Sequence, residues 1–201
     1  MANGPPTFTF TLTFNPMTRV SDLHRTAFVT GASTGLGRAF TEMLIAEGVR
    51  VWGTSRAPAR LSSFAVRHPS LFTAVALELR DGARAEAVFG EADRAAEGFD
   101  LVINNAGYGV FGEFAATEFA TWQEQLEVML VSPARLSHAA LRSLRARPAG
   151  RPAGALVNIS SLAAEFPLPF QAAYNIAKSG LSALNESLML ETAGTGVVVI
   201  D

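Results

Sequence analysis

From Arg25 onward, short apolar runs alternate with segments of helical periodicity. The strand-like runs are RTAFVT (25–30), VRVWGT (49–54), Leu71 to Leu77, Leu101 to Asn104, Ala155 to Ile159 and Val197 to Ile200. They are short and rich in apolar residues, and the first reads as a short buried strand. Between them, Leu36, Ala39, Phe40, Met43 and Leu44 recur at helical spacing and predict a helix closing near Gly48, where glycine can take the left-handed conformation. Residues 58–65 suggest a short helix, and Asp81 caps a further one running to about Glu97. A long helix follows, its wide stripe formed by Phe119, Trp122, Leu126, Met129, Leu130, Leu136 and Leu144 and interrupted by Pro133. The last helix runs from about Gln171 to Thr192 through Leu181, Leu184 and Leu188. Strand and helix alternating with short links predict an α/β protein, a doubly wound parallel sheet with helices on both faces.

The first residues depart from this rhythm. TFTFTLTF (7–14) alternates with period two between Pro6 and Pro16, as a half-buried strand would, but has no hairpin partner nearby. It is either an added edge strand or a tail outside the fold. The tail is the reading adopted here, which makes residues 1–24 a flexible N-terminal extension and residues 25–201 the domain. The segment lacks a basic start and a continuous apolar run, so it does not read as a secretory signal.

Composition narrows the function classes. The 201 residues suit one domain, and 49% hydrophobic with 17% charged residues and a formal net charge of −2 give no electrostatic case for nucleic acid or anionic membrane. The basic cluster Arg142, Arg145, Arg147 and Arg151 reads as solvated charge favourable to a helix C-terminus. Without cysteine there is no disulfide or thiol chemistry, a reducing compartment is permitted, and a cytoplasmic location is expected. His24, His68 and His138 are scattered without metal-ligand spacing, so no metal site is expected. No apolar run approaches the roughly eighteen residues of a membrane span.

Chemistry concentrates at the C-terminal ends of the strands. Gly31, Ser33, Thr34, Gly35, Leu36 and Gly37 form a glycine-rich turn between the first strand and its helix. There backbone can approach a ligand closely, and the helix start offers free N–H groups to pyrophosphate. At the end of the second strand an acidic residue would bind a ribose and repel a 2′-phosphate; Ser55 does neither, and Arg56 attracts the phosphate. Asn104, Asn105, Ala106 and Gly107 close the fourth strand at the same edge. Ser161 follows the fifth strand, and Tyr174 and Lys178 stand four apart on the last helix, within reach of one ligand. An ammonium beside a phenol favours the phenolate, as proton exchange with an alcohol or carbonyl requires.

Together TGASTGLG (30–37), NNAG (104–107), Ser161 and YNIAK (174–178) resemble the short-chain dehydrogenase/reductase family, in its order and spacing, over about residues 24–201. The resemblance implies a Rossmann-type sheet of order 3-2-1-4-5-6-7, here ending after the sixth strand, so that the seventh strand and the substrate lid are missing. It implies a bound nicotinamide dinucleotide, NADP(H) rather than NAD(H) because of Arg56. Tyr174 would be the acid/base, Lys178 would hold the nicotinamide ribose and lower the Tyr174 pKa, and Ser161 would polarise the substrate carbonyl. Glu78 and Leu79 match the adenine-contacting pair. The substrate would be a secondary alcohol, ketone or aldehyde of lipophilic character, with Phe111, Phe166 and Phe170 at an apolar mouth. The helices near 119–145 and 171–192 would pair subunits into a homodimer or homotetramer. One departure is Met129, where the family has an asparagine; Pro133, lacking an N–H, would leave the Met129 carbonyl free. Two other readings stay open: a nucleotide-binding protein with little turnover, and another doubly wound binding module, which leaves the Ser-Tyr-Lys spacing without an account.

Overall fold

Six parallel strands form one sheet in the order β3-β2-β1-β4-β5-β6 in the computed structural model, which describes residues 19–148 and 150–201. They are β1 (Thr26–Val29), β2 (Arg50–Ser55), β3 (Phe72–Ala76), β4 (Leu101–Asn104), β5 (Gly154–Asn158) and β6 (Val197–Ile200), each within a residue or two of its expected place. The order is the expected one, and no seventh strand joins it among the described residues. Central β1 and β4 are buried at every position, whereas the edge strands β3 and β6 expose several. Burial thus follows position in the sheet rather than apolarity alone, since β6 is Val-Val-Val-Ile and still exposes two residues at the edge.

Period two sends alternate residues of β1 into different cores. Phe28 enters a layer with Phe89, Phe99, Leu136 and Leu156, under α4 (Gly82–Ala96), α6 (Ser132–Arg145) and α7 (Ala172–Thr192). Ala27 and Val29 enter the other, with Leu44, Leu61 and Phe64, under α2 (Gly35–Ala46) and α3 (Ser62–Arg67). Asp81 caps α4 as expected, accepting a 2.9 Å bond from the Arg84 amide.

Three expectations are corrected. The buried face of α2 is Gly37, Thr41, Leu44 and Ile45, while Leu36 and Met43 are 62% and 47% exposed. Close approach at Gly37 sets the helix rotation and turns Leu36 outward. Pro133 does not break the long helix. α5 (Phe119–Leu126) passes through a π-helical segment, Glu127–Val131, into α6, with the Ser132 amide bonding the Glu127 carbonyl five residues back. One widened turn accommodates the missing donor and the bulk of the proline ring. The basic cluster is only partly solvated: Arg142 and Arg145 are exposed, but Arg147 and Arg151 fold back onto Asp100, each 2.8 Å from its Oδ1.

The alternating segment at 7–14 lies outside the described residues. Residues 19–24 form a helical turn, α1 (Val20–Leu23), in which Asp22 accepts a 3.0 Å bond from the Arg19 amide and Val20 packs on the second core. No helix among the described residues is long and apolar enough to cross a membrane.

Candidate active site

The loops after β1 and β4 are stitched together at the C-terminal edge of the sheet. Thr30 Oγ1 accepts from the Asn105 and Ala106 amides at 2.9 and 3.0 Å, and Asn105 Nδ2 donates to the Thr30 carbonyl at 2.9 Å. Such contact needs glycine. A Cβ on Gly37 would lie 2.4 Å from both Asn105 Nδ2 and the Gly31 carbonyl oxygen, and Gly31 adopts φ +69° with Ala106 Cα 3.0 Å from its own Cβ position. No side chain caps α2, so its first-turn N–H groups remain available where Thr34, Gly35 and Leu36 line a cavity. Gly37 lies beneath this turn and serves the approach of the loops.

Two adjoining cavities share Thr34, Gly107 and Tyr108. The first, about 500 Å³, takes in Gly31, Ser33, Ser55, Arg56, Glu78, Leu79 and Ala106 of the expected cofactor residues. Ser55 Oγ accepts from the Ala57 amide at 3.2 Å, which braces the turn carrying Arg56. Sequence reasoning missed Arg60, Arg80 and Tyr108 on this wall. Arg60 follows Arg56 by four residues, in the 3₁₀ turn Pro58–Leu61, and a second arginine so close was a usable signal. Arg80 instead bridges Glu78 and Glu124, at 3.6 and 3.4 Å, and the Tyr108 hydroxyl donates to Glu124 at 3.0 Å. Burial and the Glu124 carboxylate push the Tyr108 phenol up to about 12, so it remains a donor at neutral pH.

The second cavity, about 450 Å³, brings together Leu36, Asn105, Met129, Ser161, Tyr174 and Lys178. Ser161 ends the segment after β5 and caps a 3₁₀ turn, Leu162–Ala164, its Oγ accepting from the Ala163 amide at 3.2 Å. Lys178 is 5% exposed; its Nζ donates to the Ile159 carbonyl and lies 5.9 Å from the Tyr174 ring centroid. Burial lowers the Lys178 pKa to about 8, against an opposing pull from Asp201. Lys178 is also the sole lysine of the sequence, a signal the sequence reading passed over. Met129 is buried, with its Cε 3.0 Å from where a Gly107 Cβ would stand, so the thioether packs on the loop after β4.

The walls are held from below by side-chain amides. Asn104 and Asn158 are register partners on β4 and β5, and Asn104 Nδ2 donates to Asn158 Oδ1 at 2.8 Å. Asn158 Nδ2 donates onward to Asn185 Oδ1 on α7 at 2.6 Å. All three are buried, so the helix bearing Tyr174 and Lys178 is fixed to the sheet by buried side-chain hydrogen bonds, although Asn104 Oδ1 is left without a partner. Among the described residues no group of His, Asp or Glu is placed to hold a metal ion.

The family profile described as short chain dehydrogenase matches residues 25–201, which includes every motif lining these cavities. The chain belongs to the short-chain dehydrogenase family. An uncharacterized oxidoreductase of Schizosaccharomyces pombe is 33% identical over 166 residues, covering 83% of this chain and 54% of that protein. A short-chain dehydrogenase structure from Streptomyces avermitilis superposes with a TM-score of 0.81 at 33% identity, covering 87% of this chain and 63% of that one. A metagenomic short-chain oxidoreductase in complex with NADP gives a TM-score of 0.80 at 32% identity, with coverages of 87% and 79%. The chain therefore spans about half the length of the first of these proteins and under two thirds of the second.

Proposed function

We propose that this chain carries the cofactor and proton-transfer machinery of an NADP(H)-dependent oxidoreductase acting on a secondary alcohol, ketone or aldehyde. The observation that carries the reading is the convergence of Ser161, Tyr174 and Lys178 on one cavity, adjoining another that bears Arg56. The cradle fits a dinucleotide: glycines where a Cβ would collide, an uncapped helix start and, among the described residues, no carboxylate in ion-pair reach of Arg56 or Arg60. A similar chain binds NADP. Ser55, Arg56, Glu78 and Leu79 would hold the adenosine end, and the amides from Ser33 to Gly37 the pyrophosphate. Asn105, Ala106 and Gly107 would back the nicotinamide ribose, with Tyr174 and Lys178 as its donors.

The bound nicotinamide supplies a hydride acceptor or donor. Tyr174 gives its hydroxyl proton to the substrate oxygen in reduction and, as the phenolate, takes the alcohol proton in oxidation, while Ser161 Oγ hydrogen-bonds that oxygen and orients it. Lys178 brings a positive charge to the same cavity, its Nζ 5.9 Å from the Tyr174 ring centroid. Phe111, Phe166 and Phe170 are 73%, 71% and 62% exposed and line neither cavity themselves, but the Gly112 amide bonds the Phe170 carbonyl at 2.9 Å, so the apolar segment after β4 is tied to the one before α7. This supports a lipophilic substrate.

A second reading, cofactor binding with little turnover, draws on the buried Met129, whose thioether lines the cavity where the family has an asparagine amide. Titration with NADPH and a panel of ketones and aldehydes separates the two. Turnover that Tyr174→Phe abolishes while NADPH affinity stays within about twofold supports the enzyme. Binding without any turnover supports the second reading, and turnover retained in Tyr174→Phe removes the proton role. Exposed Phe119, Ile176 and Leu190 on α5 and α7 suit pairing of subunits through these helices.

A further inference from the structure

We infer that Asp201, at the end of β6, is the counter-charge that keeps Lys178 protonated and fixes its helix, a positioning residue for the proton-transfer site. The inference rests on the reading of Lys178 given above. Both carboxylate oxygens of Asp201 are engaged: Oδ2 accepts from Ser182 Oγ and Oδ1 from Asn185 Nδ2, each at 2.6 Å. These short charge-assisted bonds come from α7, one and two turns beyond Lys178, so all three side chains share a helix face. Asn185 also accepts from Asn158, which accepts from Asn104. A line of side chains thus runs from β4 through β5 and α7 to β6 and sets where the carboxylate stands. Asp201 and Ser182 line a third cavity, about 340 Å³, with Ser160 and Ser161 at its other wall, so the carboxylate borders the site.

Lys178 needs such a partner. An ammonium this buried is costly unless paired, and its one hydrogen bond, to the Ile159 carbonyl, brings no charge. The elements packed on α7 carry few candidates. β5 and the 3₁₀ turn contribute no ionisable group, and Glu165 follows the turn. Glu124 on α5 is committed to Tyr108 and Arg80, and Glu127 in the π segment to Ser132. α6 carries His138 and its arginines, and Tyr174 lies on α7 itself. Asp201 makes no ion pair with Lys178 within 4.0 Å, but Ser182 and Asn185 hold its carboxylate on the same face of α7, and its charge opposes the desolvation that lowers the Lys178 pKa.

The sole lysine makes the test direct, because ¹³C,¹⁵N-lysine labelling of the cofactor-free chain gives a single side-chain signal. Its NMR titration should have a midpoint near the value of about 8 in the parent. In Asp201→Asn the midpoint should move to lower pH, and in Asp201→Glu it should stay near the parent. Ser182→Ala keeps the carboxylate but removes one of its two anchors, so it should move the midpoint in the same direction by less. It also serves if Asp201→Asn fails to fold, as judged by circular dichroism. An unchanged midpoint in the folded variants overturns the inference. The readout needs no turnover, so the catalytic reading fails separately, if Tyr174→Phe or Lys178→Met keeps full activity.

Discussion

Asp100 and Arg147 form a buried ion pair, Oδ1 to Nη2 2.8 Å, with side chains 2% and 7% exposed, at the end of the sheet opposite the candidate site. Asp100 Oδ2 also accepts from the Arg25 amide at 2.7 Å, and Arg147 donates to the Pro152 carbonyl at 3.0 Å. The pair therefore ties the start of β1 to the segment between α6 and β5.

Arg147→Met should destabilise the fold by about 3 kcal/mol, because it leaves a buried carboxylate with only part of its compensation. Arg151→Ala, removing a partner that is 29% exposed, should cost about 1 kcal/mol or less. Urea unfolding of the two variants beside the parent checks the ranking. Equal, small losses would mean that Arg147 is no more than a surface charge.

His24 gives the same region a pH dependence. Burial lowers its pKa from 6.5; Asp100 pulls the other way through its charge and a backbone hydrogen bond, while Arg147 adds to the lowering. A depressed histidine pKa means that the unfolded chain binds the proton more tightly than the folded one. This contribution to stability is present in full above 6.5 and is lost as pH falls from there toward the folded pKa. Thermal unfolding followed downward from about pH 7.5 should show that loss, and His24→Gln should flatten it. A His24→Gln profile parallel to the parent would assign the acid sensitivity to other groups.

The fold was legible because its strands are short, apolar and separated by glycine, aspartate and proline signals. β4 and β6 fall on the expected residues, and the sheet order follows. The residues of the candidate site were legible because their types recur at fixed spacing after strand ends. What stayed hidden depends on pairs distant in sequence. Nothing near Arg147 announces Asp100, and nothing near Lys178 announces Asp201. The α2 face was misread because hydrophobicity alone does not reveal that Gly37, with no side chain, makes the tightest contact. The π segment was missed because a proline signals only the missing donor, and a helix has more than one way to absorb it.

Cofactor choice should follow Arg56. Charge-assisted hydrogen bonds from its guanidinium to a 2′-phosphate are worth about 1.5–3 kcal/mol, a preference for NADPH over NADH of roughly tenfold to hundredfold. Arg56→Ala should remove most of it while leaving NADH affinity nearly unchanged. Calorimetric titration of both cofactors into both proteins measures this directly, and equal affinities in the parent would refute the assignment.

The final prediction contrasts two helical glycines. At Gly37 an added Cβ would meet Asn105 Nδ2 and the Gly31 carbonyl oxygen at 2.4 Å; the latter is backbone and cannot swing aside. Gly37→Ala must therefore push α2 away from the loops after β1 and β4, at a cost of about 1–3 kcal/mol for overpacking. The same shift moves the first-turn amides from the place where a pyrophosphate would sit, so NADPH affinity should fall by more than about tenfold, or 1.4 kcal/mol. Gly90, inside α4, has only Arg94 Nη1 within reach, at 3.6 Å, and that is the far end of a flexible side chain. Gly90→Ala should therefore stabilise the protein by about 0.5–1 kcal/mol through helix propensity and a less flexible unfolded chain, with cofactor affinity unchanged. Unfolding and NADPH titration of both variants decide the matter. If Gly37→Ala binds NADPH as the parent does, the close approach of α2 to these loops is a packing feature with no part in cofactor binding.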